Sequence, residues 1–287
     1  MKKNLTALLI ATLLSLPSLA GDSTESNHAK PVLNFFIISK PKKGKPDLAS
    51  RFNILRTGVR AFFHSNHFVS IVASSSEDMS KKVLRKIKRK NACIGTLWFD
   101  SHGVYKKAHS LFMVGRDEFN YLNIGDEKNI KYLQLLQPYC SDETNIVIGS
   151  CYGGATFKRG FAHNNDSIRM NGDSLMMGLG RALKSGNVFA SESWVMTKPG
   201  LFYGKSSVAG FPMRKLFRDV VYRPAWEHVG VWNVYSGRLD HVMAIPPVTL
   251  DGNGSLHVRN KTYISERKVR RKIHRKMQRL EPDLAKT

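Results

Sequence analysis

Apolar positions recur along this chain with two different periods. Residues 34–39 (NFFIIS) form a short run rich in Phe and Ile, and 68–73 (FVSIVA), 94–99 (IGTLWF), 145–148 (NIVI) and 188–190 are of the same kind. Short apolar runs bounded by polar text predict buried strands. Between them the period lengthens. Leu48, Phe52, Leu55, Val59 and Phe62 recur at spacings of three and four, which predicts an amphipathic helix. Ser74, Ser75 and Ser76 are cap candidates for the next helix, with Glu77 and Asp78 in its first turn. Met79, Val83, Leu84 and Ile87 form its apolar stripe, and its other face is almost all Lys and Arg. Ile130, Leu133 and Leu136 predict a helix stopped by Pro138. Asp173 opens another, bearing Leu175, Met176, Leu179, Ala182 and Leu183, and Gly186 ends it.

The resulting order, β-α-β-α-β-α-β-α-β, favours a mainly parallel sheet with helices on both faces. Residues 111–114 add a short strand in an excursion. Beyond residue 193 the pattern is irregular. Residues 229–235 and 241–245 read as strands, residues 251–254 (DGNG) as a hairpin turn, and 266–280 as a strongly basic helix striped by Val269, Ile273, Met277 and Leu280. No internal repeat is visible.

The N-terminus changes the expected compartment. Lys2 and Lys3 precede an apolar run from Leu5 to Leu16, Pro17 breaks it, and Ser18 and Ala20 put small residues at −3 and −1 of a cleavage site. This is the pattern of a secretory signal peptide over residues 1–20. The run is too short to span a bilayer, and position 21 is Gly rather than the Cys of a lipoprotein. The expected organisation is a leader (1–20), a polar N-terminus (21–33), one domain (34–250) and a basic C-terminal extension (251–287), secreted or periplasmic. The formal net charge is +23, from 45 Lys and Arg against 22 Asp and Glu. A 42% hydrophobic content excludes a disordered polycation. Export argues against intracellular nucleic acid as a partner, so the charge points to an anionic cell surface or polysaccharide met through basic helices.

Three cysteines follow the leader: Cys93, Cys140 and Cys151. In an oxidising compartment an odd count suggests one pair and one thiol kept free. Two strand ends carry the candidate chemistry. One delivers Asp100-Ser101-His102-Gly103, the other Gly149-Ser150-Cys151-Tyr152-Gly153-Gly154. Ligands of open parallel sheets bind at the carboxyl ends of strands, where a His and a Cys from two strands can meet. An imidazole there can assist thiol deprotonation and later protonate a leaving group. Glycines beside both let backbone N–H groups approach a substrate carbonyl and form an oxyanion hole.

The pair "apolar strand–His-Gly" and "apolar strand–small residue–Cys" resembles the caspase-like cysteine peptidases (clan CD), nearest to the clostripain and toxin self-processing types. The resemblance covers roughly residues 34–194 and implies a three-layer α/β sandwich with a mainly parallel sheet. It implies that His102 is the general acid/base, Cys151 the nucleophile, and the N–H groups of Gly103 and Cys151 the oxyanion hole, acting on a protein or peptide without a cofactor. In several of these families the residue two before the Cys helps set the side chain accepted. Here it is Gly149, which offers no charge and favours a small or apolar side chain. Glu192 is the candidate for an acidic pocket, although a solvated strand-end charge is the commoner state of a Glu. The resemblance also makes the strands after Cys93 and Cys140 parallel neighbours, and so implies a Cys93–Cys140 disulfide away from the site.

Three other readings compete. Residues 149–153 match G-x-C-x-G, the cysteine form of the α/β-hydrolase nucleophile elbow, with His241 as base and Asp219 as acid. An elbow runs directly into a helix, whereas about twenty residues separate Cys151 from the next helical pattern. A second reading is a non-enzymatic binding protein for anionic surfaces. Metal chemistry is the weakest, since no H-x-x-x-H, H-E-x-x-H or C-x-x-C spacing occurs.

Overall fold

The structure is a computed structural model and describes residues 30–40, 48–103, 110–156, 170–192, 195–198, 206–209, 231–246 and 248–258. The leader, residues 210–230 with Asp219, and the basic helix expected at 266–280 lie outside them.

The first half of the chain alternates strand and helix as its periodicity predicts: β1 (Val32–Ser39), α1 (Leu48–Phe63), β2 (Phe68–Ala73), α2 (Ser76–Lys90) and β3 (Cys93–Asp100). A hairpin, β4 (Leu111–Val114) and β5 (Asp117–Asn120), interrupts the pattern before α3 (Glu127–Gln134). Then come β6 (Asn145–Gly149), α4 (Gly172–Leu183) and β7 (Asn187–Ser191). The later part is all strand among the described residues: β8 (Met196–Lys198), β9 (Ser206–Ala209), β10 (Trp232–Ser236), β11 (His241–Ile245), β12 (Val248–Leu250) and β13 (Leu256–Val258).

Seven strands form one sheet in the order β2-β1-β3-β6-β7-β10-β11. The pairings from β2 across to β7 are parallel, and β10 and β11 close that edge with antiparallel pairings. The fold is therefore mixed α/β with a mostly parallel central sheet. Strand residues are apolar at nearly every position because both faces are covered. Phe35, Ile37, Leu97, Phe99, Ile146 and Ile148 join the apolar stripes of α2, α3 and α4 in one cluster. Phe36, Ile38, Trp98, Val147, Phe189 and Trp232 form a second cluster with Val248 and Leu250 of β12, against which Ile54 and Ala61 of α1 pack. A smaller sheet, β13-β12-β9-β8, is entirely antiparallel.

Helix boundaries follow local chemistry. Ser75 Oγ accepts from the Asp78 N–H at 3.1 Å, and Asn91 ends α2 in the left-handed conformation. Asp126 caps α3, and Pro138 lies in a 3-10 turn (Gln137–Tyr139) just beyond it. The expected turn at 251–254 joins β12 to β13, so this hairpin runs across residue 250, the expected domain boundary. Asn34 Nδ2 donates to Asn253 O at 2.8 Å, which ties this hairpin to β1.

One element forms where predicted but faces the other way. The apolar stripe of α1 points outward: Phe52 is 50% exposed, Leu55 62% and Phe62 79%. The helix buries Thr57 and Arg60 instead. Thr57 Oγ1 hydrogen-bonds Asn53 O at 2.6 Å and meets Ser70 Oγ at 2.7 Å, and the Arg60 guanidinium lies 5.4 Å from the Phe68 ring centre. Burial pushes the Arg60 pKa down, and Asp251 opposes that shift.

Candidate active site

Parallel register decides whether the two candidate strand ends meet. β3 and β6 run side by side with Asp100 opposite Gly149. His102 and Cys151 each follow that pair by two residues, so both emerge at the carboxyl end of the sheet. Gly103 marks how close the two segments come. A Cβ built there would lie 2.2 Å from the Cys151 carbonyl oxygen and 3.1 Å from the Cys151 Cβ, so this approach requires glycine. His102 is exposed and Cys151 is half-buried. The Val195 N–H donates to Cys151 Sγ at 3.4 Å, which sets a backbone donor on the sulfur.

The turn after Cys151 is held from below. Tyr152 adopts the left-handed region at φ 61° and is buried. The Gly154 N–H donates to Ser191 O at 2.9 Å, so the turn hangs on the end of β7. Asn233 Nδ2 on β10 donates both to Gly154 O and to Glu192 Oε1, each at 2.9 Å. Three serines fix β4 beside the site. Ser39 Oγ donates to Met113 O at 2.5 Å, Ser150 Oγ donates to Leu111 O at 2.5 Å, and Ser101 Oγ accepts from the Met113 N–H at 3.0 Å. At the same end Asp100 Oδ2 accepts from Asn53 Nδ2 of α1 at 2.9 Å.

These contacts revise several expectations. Glu192 is not a solvated strand-end charge: it is only 4% exposed, and its carboxylate is engaged by Asn233 beneath the Cys151 turn. Gly149 has a packing reason of its own. A Cβ there would lie 2.5 Å from Trp98 Nε1 and 2.6 Å from Phe99 O, so glycine makes room for the indole of the neighbouring strand. The Cys93–Cys140 disulfide is not formed, and all three cysteines are free thiols. Cys93 pairs across to Val32 of β1, and its Sγ lies 3.7 Å from Pro31 O. Cys140 packs instead against the core under α2–α4, its thiol donating to Leu136 O at 3.5 Å. Burial pushes the Cys140 thiol pKa up to about 12.

His241 does not reach Cys151. It opens β11 opposite Ser236, Ser236 lies opposite Asn187, and Asn187 lies opposite Asn145, the first residue of β6. His241 is thus at the amino end of the parallel strands, and the elbow reading loses its base. Among the described residues no group of three or more His, Cys, Asp and Glu is placed to hold a metal ion.

Sequence reasoning missed Val195 and Asn233. Each acts on residues about forty or more positions earlier, through the antiparallel closing edge or the segment leading into β8, and no local pattern announces such a contact. No family model matches the chain, and neither a curated protein nor a solved structure matches it.

Proposed function

We propose that this protein is an exported caspase-like cysteine endopeptidase, a three-layer α/β sandwich in which His102 and Cys151 form the catalytic dyad. The supporting observation is the close approach of Gly103 to the backbone and Cβ of Cys151, which brings the segments that carry His102 and Cys151 together at one end of the sheet. In this reading His102 takes the proton of the Cys151 thiol, and the thiolate attacks the scissile carbonyl carbon while the carbonyl electrons move to oxygen. The N–H groups of Gly103 and Cys151 stabilise that oxyanion. Collapse breaks the C–N bond, the amine leaves with a proton from the His102 imidazolium, and a thioester remains on Cys151. His102 then takes a proton from water as the water adds to the thioester carbonyl; collapse breaks the C–S bond, the carboxylic acid leaves, and the Cys151 thiolate and His102 imidazolium are restored.

Gly149 backed by Trp98 carries no charge, and the Glu192 carboxylate is held by Asn233. The proposal therefore includes a preference for a small or uncharged side chain before the scissile bond. The signal pattern at 1–20 supports action in the periplasm or outside the cell. The test is a peptide-library digest beside Cys151→Ala and His102→Ala. Each substitution is expected to lower cleavage by about ten-thousandfold while leaving the melting temperature in place. Equal cleavage by the wild type and Cys151→Ala would end the peptidase reading.

A further inference from the structure

Most exposed apolar side chains on a soluble domain stand singly. Those of α1 do not. Phe52, Leu55 and Phe62 lie on one side of the helix at spacings of three and seven, and Phe63 joins them at 60% exposure. The rings of Phe62 and Phe63 pack edge to face, 5.4 Å between centres, at the outer end of the helix. This face is not spare core surface turned out by accident, because α1 already buries its opposite side through Ile54, Thr57, Arg60 and Ala61.

The exposed charges of α1 itself are of one sign. α1 presents Arg51 and Arg56 and contains no acid. Asp47 is the only acidic residue in sequence between 31 and 76, while Asp100 meets the helix through Asn53 and Asp251 lies toward the buried Arg60. Arg51 is exposed, and the Arg56 guanidinium stands 5.8 Å from the Phe52 ring centre. α2 brings more cations to the same edge of the sheet, since Lys90 Nζ donates to Ser65 O in the turn that leaves α1. Lys81 and Lys82 are paired with Glu77 and Asp78, whereas Arg85, Arg89 and Lys90 crowd Lys86.

We propose that the outward face of α1 docks this protein on an anionic lipid bilayer, with Phe52, Leu55, Phe62 and Phe63 in the headgroup–acyl boundary and the flanking arginines and lysines on the lipid phosphates. Charge complementarity selects this occupant. A second copy would bring the same arginines against these. The chain beyond β13 would bring a segment (266–280) in which eight of fifteen residues are Lys or Arg. A bilayer with acidic headgroups supplies both apolar depth and negative charge. The docking does not depend on cleavage chemistry.

The test is hydrogen–deuterium exchange of the full chain with phosphatidylcholine vesicles, with and without phosphatidylglycerol. The expected result is protection of peptides covering 50–67 by the phosphatidylglycerol vesicles, reduced in high salt and absent with pure phosphatidylcholine. The local readout separates α1 from any binding by the leader. Phe62→Ser with Phe63→Ser is expected to weaken vesicle binding about tenfold at an unchanged melting temperature, because both rings are exposed in the fold. The proposal is overturned by lipid protection confined to other segments, by no protection at all, or by unaltered binding of the double variant. Protection of 50–67 that rises with protein concentration without lipid would assign the face to a second copy instead.

Discussion

Cys140 and Cys151 lie either side of the same five-residue strand, and their surroundings are opposite. Cys140 precedes β6, packs among apolar side chains, and has its thiol pKa pushed up to about 12 by burial. Cys151 follows β6 where the chain leaves the sheet, half-buried, with the Val195 N–H on its sulfur and Gly103 against its backbone. One thiol is kept protonated by its position, and the other is placed where a carbonyl can reach it. The contrast shows how a parallel sheet sorts chemistry. Strand starts are closed by the segments leading into them, while strand ends open into turns that can be shaped by glycine and held by remote hydrogen bonds.

Alkylation rates give the largest test of this contrast. Thiolates react and thiols do not, so Cys140 is expected to label about a thousandfold more slowly than Cys151 near neutral pH. Mass mapping of iodoacetamide adducts against time reads both rates in one sample. Comparable rates would erase the distinction between the two ends. The next test acts on the site end alone. Gly103→Ala drives a methyl into the Cys151 carbonyl, so the two strand ends must part. Cleavage is expected to fall about a hundredfold, with a loss of about 1–3 kcal/mol in stability from the overpacking. An unchanged cleavage rate would show that the close approach has no part in the chemistry.

The sequence carried most of this comparison and hid the rest for identifiable reasons. β1, β2, β3, β6 and β7 were legible because each is a short, mostly apolar run, and their order with α1–α4 implied parallel pairing, whereas β5 (DEFN) carries no such run and was not predicted. That His102 and Cys151 emerge at the same end of adjacent strands was legible because parallel register aligns strand ends. Closing strands such as β8, β9, β12 and β13 are three or four residues long and leave little periodic signal. The helices differ in an instructive way. α2 buries Met79, Val83 and Ile87 as its stripe implies, while α1 shows its stripe to the outside. Periodicity finds an apolar face but does not say what the face meets. The side of α1 that is buried works through a Thr57–Ser70 contact, an arginine over Phe68, and Asp251 nearly two hundred residues away. Glu192 was misread for the same reason, since its partner Asn233 lies forty-one residues downstream on an antiparallel strand. The cysteine pairing failed because it was argued from the order of strand starts, whereas Cys93 turns toward Pro31 and Cys140 toward Leu136.

The smallest effect isolates the closed end. In the folded chain the Cys140 thiol holds its proton up to about pH 12, and in the unfolded chain it loses it near the ordinary value of about 8.5. The unfolded state therefore binds fewer protons than the native state between those two values, and stability falls as pH rises through that window. Below it the contribution is fully present and independent of pH. By about pH 10 the loss amounts to about 1–2 kcal/mol, an effect on the folding equilibrium of about tenfold. Urea unfolding of the wild type and Cys140→Ala at neutral and alkaline pH measures it. The substitution removes a partly buried sulfur and so lowers stability at every pH, but it also removes the titrating group. The signature is thus a pH slope that is flatter in Cys140→Ala than in the wild type, not the offset between them. Parallel slopes would mean that water reaches Cys140, and the two thiols flanking β6 would then differ only in their neighbours.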